Sequence, residues 1–178
     1  MTSKIRNVYL LDTNIVSMLA RAKMGAQDPC CLNVLRRSQA IAQSGVAAVC
    51  SVTLGEIEYG LSTSPAPMPD VHRDLRALVS AFPQVFVIDK HVAVDSYAKL
   101  RARLFAKYAP RNGKRRTHTK YPEELIDPAT SQSLGIQEND LWIAAVALTN
   151  GLTLVTADKM LRLKDVLQGE LSFEDWTK

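Results

Sequence analysis

Residues 8–17 read VYLLDTNIVS, and the change of character at the middle of this run decides the fold class. Residues 7–11, NVYLL, are apolar and rich in strand formers, the run stops at Asp12, and residues 13–22 continue with helical character. A strand that ends on an acid and passes straight into a helix is the opening of an α/β unit. The same order recurs downstream. Residues 45–52 read as a second buried strand, with Ser51 or Thr53 capping a helix that carries Glu56. Pro65, Pro67 and Pro69 break the chain, 71–81 is predicted helical, and 85–88 reads as a third strand before Asp89, itself placed as a helix cap. A long basic helix follows. Asp140 then opens the helix LWIAAVALTN, Gly151 closes it, and 152–156 form a fourth strand just before Asp158. Strands and helices alternating over short connections predict a mostly parallel central sheet of about four to five strands, flanked by helices on both faces.

The 178 residues suit one compact domain, 1–178, with a basic loop or insertion at 111–135. A composition of 47% hydrophobic and 22% charged residues excludes disorder, collagen and coiled coil. The longest apolar run, 141–148, falls far short of the roughly 20 residues that cross a bilayer, so no membrane span is expected. Lys4 and Arg6 lead directly to Asp12 with no signal-peptide core between, which places the protein in the cytoplasm. Cys30, Cys31 and Cys50 form no CxxC pair and are expected as small buried or half-buried residues. Neither a GxGxxG nor a P-loop pattern is present, which removes nucleotide-cofactor readings.

Net charge is only +4, but its distribution is uneven. Lys99, Arg101, Arg103, Lys107, Arg111, Lys114, Arg115, Arg116 and Lys120 follow one another with no acid among them, and the rest of the chain is acidic on balance. On a helix, Lys99, Arg103 and Lys107 form one stripe, while Tyr97, Leu100, Leu104 and Tyr108 form the apolar face. The stripe reads either as an ordinary solvated face or, joined by Arg115 and Arg116, as a surface for RNA phosphates. The loop RNGKRRTHTK lacks periodicity and is expected to be mobile.

In an open parallel sheet the ligand crevice lies beyond the carboxyl ends of the strands, where Asp12 and Asp158 fall, with Glu56 and Asp140 on adjoining helices. Carboxylates brought together raise one another's pKa, and a divalent cation removes that cost. An all-oxygen set without His or Cys suits Mg²⁺ or Mn²⁺, ions that can activate water and stabilise the leaving oxygen of a phosphodiester. Each residue also has a plainer reading: Asp12 as a helix cap, Glu56 as a helix former, Asp140 as a helix-dipole partner, Asp158 as an ion-pair partner of Lys159. Thr13 and Thr156 offer hydroxyls that support a carboxylate or simply pack. Asn14 and Asn139 read equally as turn, cap or site residues, Glu138 as a surface neighbour, and Glu58 as solvated.

VYLLDTNIVS around Asp12, VTLGEIEYG around Glu56, NDLWIAAVAL from Asn139 and GLTLVTADK around Asp158 resemble, in order and context, the motifs of the PIN-domain family, its VapC toxin branch in particular. The resemblance runs from residue 8 to about residue 163. It implies a PIN fold and a metal-dependent endoribonuclease whose acidic positions fall on Asp12, Glu56, Asp140 and Asp158, with Mg²⁺ or Mn²⁺ as cofactor. It further implies products with 3′-hydroxyl and 5′-phosphate ends, a homodimer, and a small antitoxin that binds and silences the enzyme. The stretch 111–135 departs from compact members of the family in being longer and more basic.

The rival readings are a non-catalytic PIN-fold module that binds RNA or a partner, and an acid-pocket phosphatase of the haloacid dehalogenase class. The latter needs a second Asp two residues after the first, where Asn14 stands.

Overall fold

The computed structural model describes residues 7–42, 44–64, 68–109 and 121–178, with the backbone of 111–112 and 115–116. The chain runs β1 (Asn7–Leu11), α1 (Thr13–Lys23), α2 (Pro29–Ile41), β2 (Gly45–Cys50), α3 (Ser51–Ser62), α4 (Pro69–Ser80) and β3 (Val85–Phe86). A π-helical turn, Val92–Tyr97, leads without a break into α5 (Ala98–Tyr108). Next come β4 (Arg111–Asn112), β5 (Arg115–Arg116), a 3-10 turn at Pro122–Glu124, α6 (Glu138–Thr149), β6 (Thr153–Val155), α7 (Leu161–Leu167) and β7 (Ser172–Glu174). Contacts gather into two compact units. The first holds the described residues up to Val87 with Leu152–Asp158 and Ser172–Lys178, and the second holds Ile88–Gly151 and Lys159–Leu171.

The first unit contains a five-stranded sheet in the order β3-β2-β1-β6-β7, every neighbouring pair parallel. The α/β class and parallel sheet expected from the alternating pattern are what the chain forms. Central β1 pairs Leu10 with Ala48 on one side and Leu154 on the other, all three fully buried. Leu11, Ile15, Val16, Leu19, Val34, Val49, Ile57, Val155 and Trp176 make one apolar cluster, with the Tyr9 and Trp176 rings 5.6 Å apart. Each such side chain contributes about 1.5–3 kcal/mol by leaving water. Gly45 opens β2 because a Cβ there would lie 2.8 Å from the Asn7 carbonyl oxygen and from the Tyr9 ring.

Several boundaries differ from expectation for local reasons. The second strand ends at Cys50, because Ser51 and Val52 already form the first turn of α3, and neither Ser51 nor Thr53 serves as its cap. The third strand is only Val85–Phe86, since its partner β2 stops opposite Phe86. Helix α2 was not anticipated, although Asp28 caps it through the Cys30 and Cys31 amides and Pro29 opens it. β7 was not anticipated either.

In the second unit Leu100, Leu104 and Tyr108 are buried along α5, as the period predicts, and the Tyr97 ring stacks on Trp142 of α6 at 3.5 Å. Thr149 donates to Ser96 at 2.7 Å, tying α6 to the π turn. Asp89 caps that turn by accepting from the Val92 amide at 2.9 Å. Helix α6 begins at Glu138 rather than Asp140, because Gln137 and Asp140 form a capping box. Gly151 ends it with φ +63°, a left-handed conformation suited to glycine. Of the predicted loop RNGKRRTHTK, 111–112 and 115–116 pair as antiparallel β4 and β5, and the remainder lies outside the described residues. No helix among the described residues is long and apolar enough to cross a membrane. Cys31 and Cys50 are buried as expected, but Cys30 is exposed at the start of α2.

Candidate functional site

Parallel pairing of β1 with β6 sets Leu11 opposite Val155, so the residues that follow, Asp12 and Thr156, emerge side by side at the carboxyl edge of the sheet. The Asp12 amide donates to the Val155 carbonyl at 2.9 Å, and the Thr156 amide to Glu174 of β7 at 3.0 Å. Side chains continue this order. Thr156 Oγ1 donates to Asp12 Oδ2 at 2.7 Å, and the Thr13 amide donates to Asp12 Oδ1 at 2.7 Å. Asp12 and Thr156 are 3% and 2% exposed, so the carboxylate is held almost wholly by protein donors. Asp12 therefore does cap α1, and it does so while lying in a cluster of acids.

Asn14 is the bridge within that cluster. Its Nδ2 lies 3.2 Å from Asp12 Oδ2 and 2.9 Å from Asp158 Oδ2, and its Oδ1 accepts from the Ala157 amide at 3.2 Å. The Asp158 amide donates to Thr156 Oγ1 at 3.1 Å. One turn of α1 thus spans the loops after β1 and β6. Glu56 is brought in from α3, which starts directly after β2 and so places its second turn near the end of β1; Thr13 Oγ1 donates to Glu56 Oε2.

Electrostatically this is a strained arrangement. Burial pushes the Asp12 carboxyl above its ordinary value, and the charges of Asp158 and Glu56 push the same way, against the hydrogen bonds from Thr156 and the Thr13 amide. A divalent cation would reverse those terms, and the oxygen-only donors match the chemistry of Mg²⁺ or Mn²⁺. The donor set fits such an ion, although among the described residues no three His, Cys, Asp or Glu side chains are already gathered into a metal cage.

Asp140 belongs to the second unit, where its Oδ2 accepts from the Gln137 amide at 2.7 Å in the α6 capping box. Glu138, expected as a surface neighbour, is instead half-buried. It accepts from the Tyr97 hydroxyl and from Arg101 Nη1 at 2.9 Å, its amide donates to Glu123 at 2.7 Å, and burial pushes its carboxyl up. Arg101 also lies over the Tyr97 and Phe105 rings at 5.8 and 5.6 Å. Glu58 is the solvated residue expected, in an exposed pair with Arg76 at 2.5 Å.

The basic stripe is neutralised at each step: Lys99 faces Asp95 at 3.8 Å, Arg103 faces Glu170 at 2.6 Å and Lys107 faces Asp165 at 2.5 Å. Arg115 and Arg116 form β5, with Arg116 paired to Arg111 and Arg115 to Asn112; their side chains lie outside the described residues. The residue underrated by sequence reasoning is Asn14. Its spacing of two from a strand-end acid, in the first turn of the helix that acid caps, was the available signal.

A family model described as PIN domain matches residues 9–167. No curated protein matches the chain. Among solved structures, the chain is similar to VapBC2 from Rickettsia felis bound to a promoter DNA fragment, with 20% identity, 95% of this chain and 98% of that chain covered, and a TM-score of 0.63. It is also similar to DNA-bound VapBC from Salmonella typhimurium, with 22% identity, coverage of 96% and 98%, and a TM-score of 0.60. VapBC-1 from nontypeable Haemophilus influenzae matches with 20% identity, coverage of 96% and 99%, and a TM-score of 0.59.

Proposed function

Because the chain belongs to the PIN-domain family, we propose that it is a metal-dependent endoribonuclease, the toxin of a VapBC-type toxin–antitoxin pair, working in the cytoplasm as a single PIN domain. The observation that carries this reading is the buried Asp12 at the carboxyl edge of the central strand, held by Thr156 and linked through Asn14 to Asp158. Asp12, Glu56, Asp140 and Asp158 would hold Mg²⁺ or Mn²⁺. When bound, the ion supplies Lewis-acid stabilisation of the phosphodiester oxygens and lowers the pKa of water.

The chain's own residues do the positioning. Thr156 and the Thr13 amide favour the charged form of the Asp12 carboxylate and aim it, Thr13 Oγ1 fixes Glu56, and Asn14 sets the separation of Asp12 from Asp158. Hydrolysis would leave 3′-hydroxyl and 5′-phosphate ends. The neighbouring structures are complexes of VapB and VapC proteins, some on DNA, which supports a small antitoxin as the partner here. We also propose a homodimer.

Cleavage of a mixed panel of structured and single-stranded RNAs with Mg²⁺ or Mn²⁺ tests the proposal, run beside EDTA and the Asp12→Asn and Asp140→Asn variants. Cleavage by the metal-loaded wild type alone is the expected result. The second reading, a non-catalytic RNA- or partner-binding module, draws on the lack of a ready-made three-acid cage among the described residues. RNA binding without cleavage under every metal condition would favour it.

A further inference from the structure

Helix α3 presents a feature that the acid cluster does not use. Steps of about 100° per residue put Val52, Glu56 and Tyr59 on one face of the helix, about a third of a turn round from buried Thr53 and Ile57. Tyr59 is 71% exposed, more than any other large apolar residue described. Tyr9, Tyr97 and Tyr108 each engage a neighbour, through Trp176, Trp142 and Asp165 respectively. Tyr59 instead holds its ring in solvent one turn beyond Glu56. Gly55 and Gly60 border this face; neither has a positive φ, and a Cβ on either would meet nothing within 4 Å. The exposed Tyr59 thus adjoins a stretch of helix surface that is open at Gly55 and Gly60.

We propose that Tyr59 is a substrate-contacting, specificity-determining residue: a nucleobase next to the scissile phosphodiester stacks on its ring. This rests on the ribonuclease reading above. Single-stranded RNA offers splayed bases to aromatic side chains, and such stacking carries about tenfold or more in affinity per base. Glu56 and Tyr59 together would set one base against the acids that act on its neighbouring phosphate. Because every base has a π face, the platform selects by stacking strength and favours purines.

The test is an abasic scan. Single-stranded oligoribonucleotides, each lacking one base, are compared for cleavage with Mg²⁺ or Mn²⁺ and for binding in EDTA, using wild type, Tyr59→Ala and Tyr59→Phe. In the wild type one abasic position should weaken binding and raise KM by about tenfold. That penalty should vanish in Tyr59→Ala and persist in Tyr59→Phe, with kcat little changed. A wild type that cleaves normally and shows the same abasic penalty in Tyr59→Ala overturns the stacking role while leaving the nuclease reading intact. Tyr59-dependent binding without cleavage supports stacking and overturns the nuclease reading, and a wild type that neither binds nor cleaves overturns both. Loss of a dimer by light scattering in Tyr59→Ala, with the abasic penalty unchanged, would assign the ring to a protein contact instead.

Discussion

Replacing Thr156 by Val tests the electrostatics of the acid cluster most directly, because it removes one hydroxyl and leaves the side-chain shape almost unchanged. Thr156 Oγ1 donates to the Asp12 carboxyl at 2.7 Å and accepts from the Asp158 amide at 3.1 Å, in a residue only 2% exposed. A hydrogen bond to a charged group contributes about 1.5–3 kcal/mol, and the orphaned amide adds to the loss, while the extra methyl recovers part of it. The net expectation is a destabilisation of about 2 kcal/mol near neutral pH. The cost should also depend on pH. Burial and neighbouring charge already raise the folded Asp12 carboxyl above its unfolded value of 3.8, so the folded state binds the extra proton and stability falls as pH rises from the ordinary carboxylate range. The Thr156 bond opposes that rise; without it the folded value climbs further and the destabilisation grows with pH. Urea unfolding followed by tryptophan fluorescence in EDTA, at about pH 4 and about pH 7.5, measures both quantities. A loss below about 0.5 kcal/mol at the higher pH, or an equal loss at both, would refute the claim that this hydroxyl supports an ionised Asp12.

Three further outcomes follow from the same geometry. Asn14→Asp places another negative charge between Asp12 and Asp158, so its Tm in EDTA should fall by about 4 °C and recover with Mg²⁺ by more than the wild type gains, which calorimetry with and without the ion would show. Gly45→Ala forces a methyl against the Asn7 carbonyl and the Tyr9 ring at 2.8 Å and should cost about 1–3 kcal/mol in chemical denaturation. Tyr108 is buried and donates to Asp165, and these effects push its hydroxyl up from 10.0 to about 12. The folded state keeps that proton longer, so stability falls as pH rises from 10.0 to about 12; Tyr108→Phe should flatten this fall and remove the latest tyrosinate step in an ultraviolet titration.

The main lines of the chain were legible because they rest on local patterns. A β-branched and aromatic run ending at Asp12, a glycine after LWIAAVALTN, and acids at strand ends identify the sheet class and the strand-end positions of Asp12 and Asp158 without any long-range information. The last strand was not legible. β7 pairs only because Val155 and its neighbours lie alongside it, and its three residues carry no period of their own, while the third strand was legible as a run but not in its length, which its pairing with Val49 and Cys50 sets. The handover from strand to helix at Cys50 and Ser51 was blurred for a related reason: VAAVCSVTL is apolar on both sides of the boundary.

Charge shows the same division. That nine basic residues follow one another between 99 and 120 is a property of the sequence. That Arg103 and Lys107 lie against Glu170 and Asp165 is not, because those acids come from more than fifty residues away and only packing of α5 with the α7 region brings them close. For the site, sequence supplied the acid positions together with the all-oxygen donor chemistry. The partnership of Asp12 with Thr156, and the span of Asn14 to Asp158, arose from the parallel pairing of β1 with β6 across 144 residues. A side chain's type is written locally, whereas its burial and its hydrogen-bond partners depend on which distant strand the backbone pairs with.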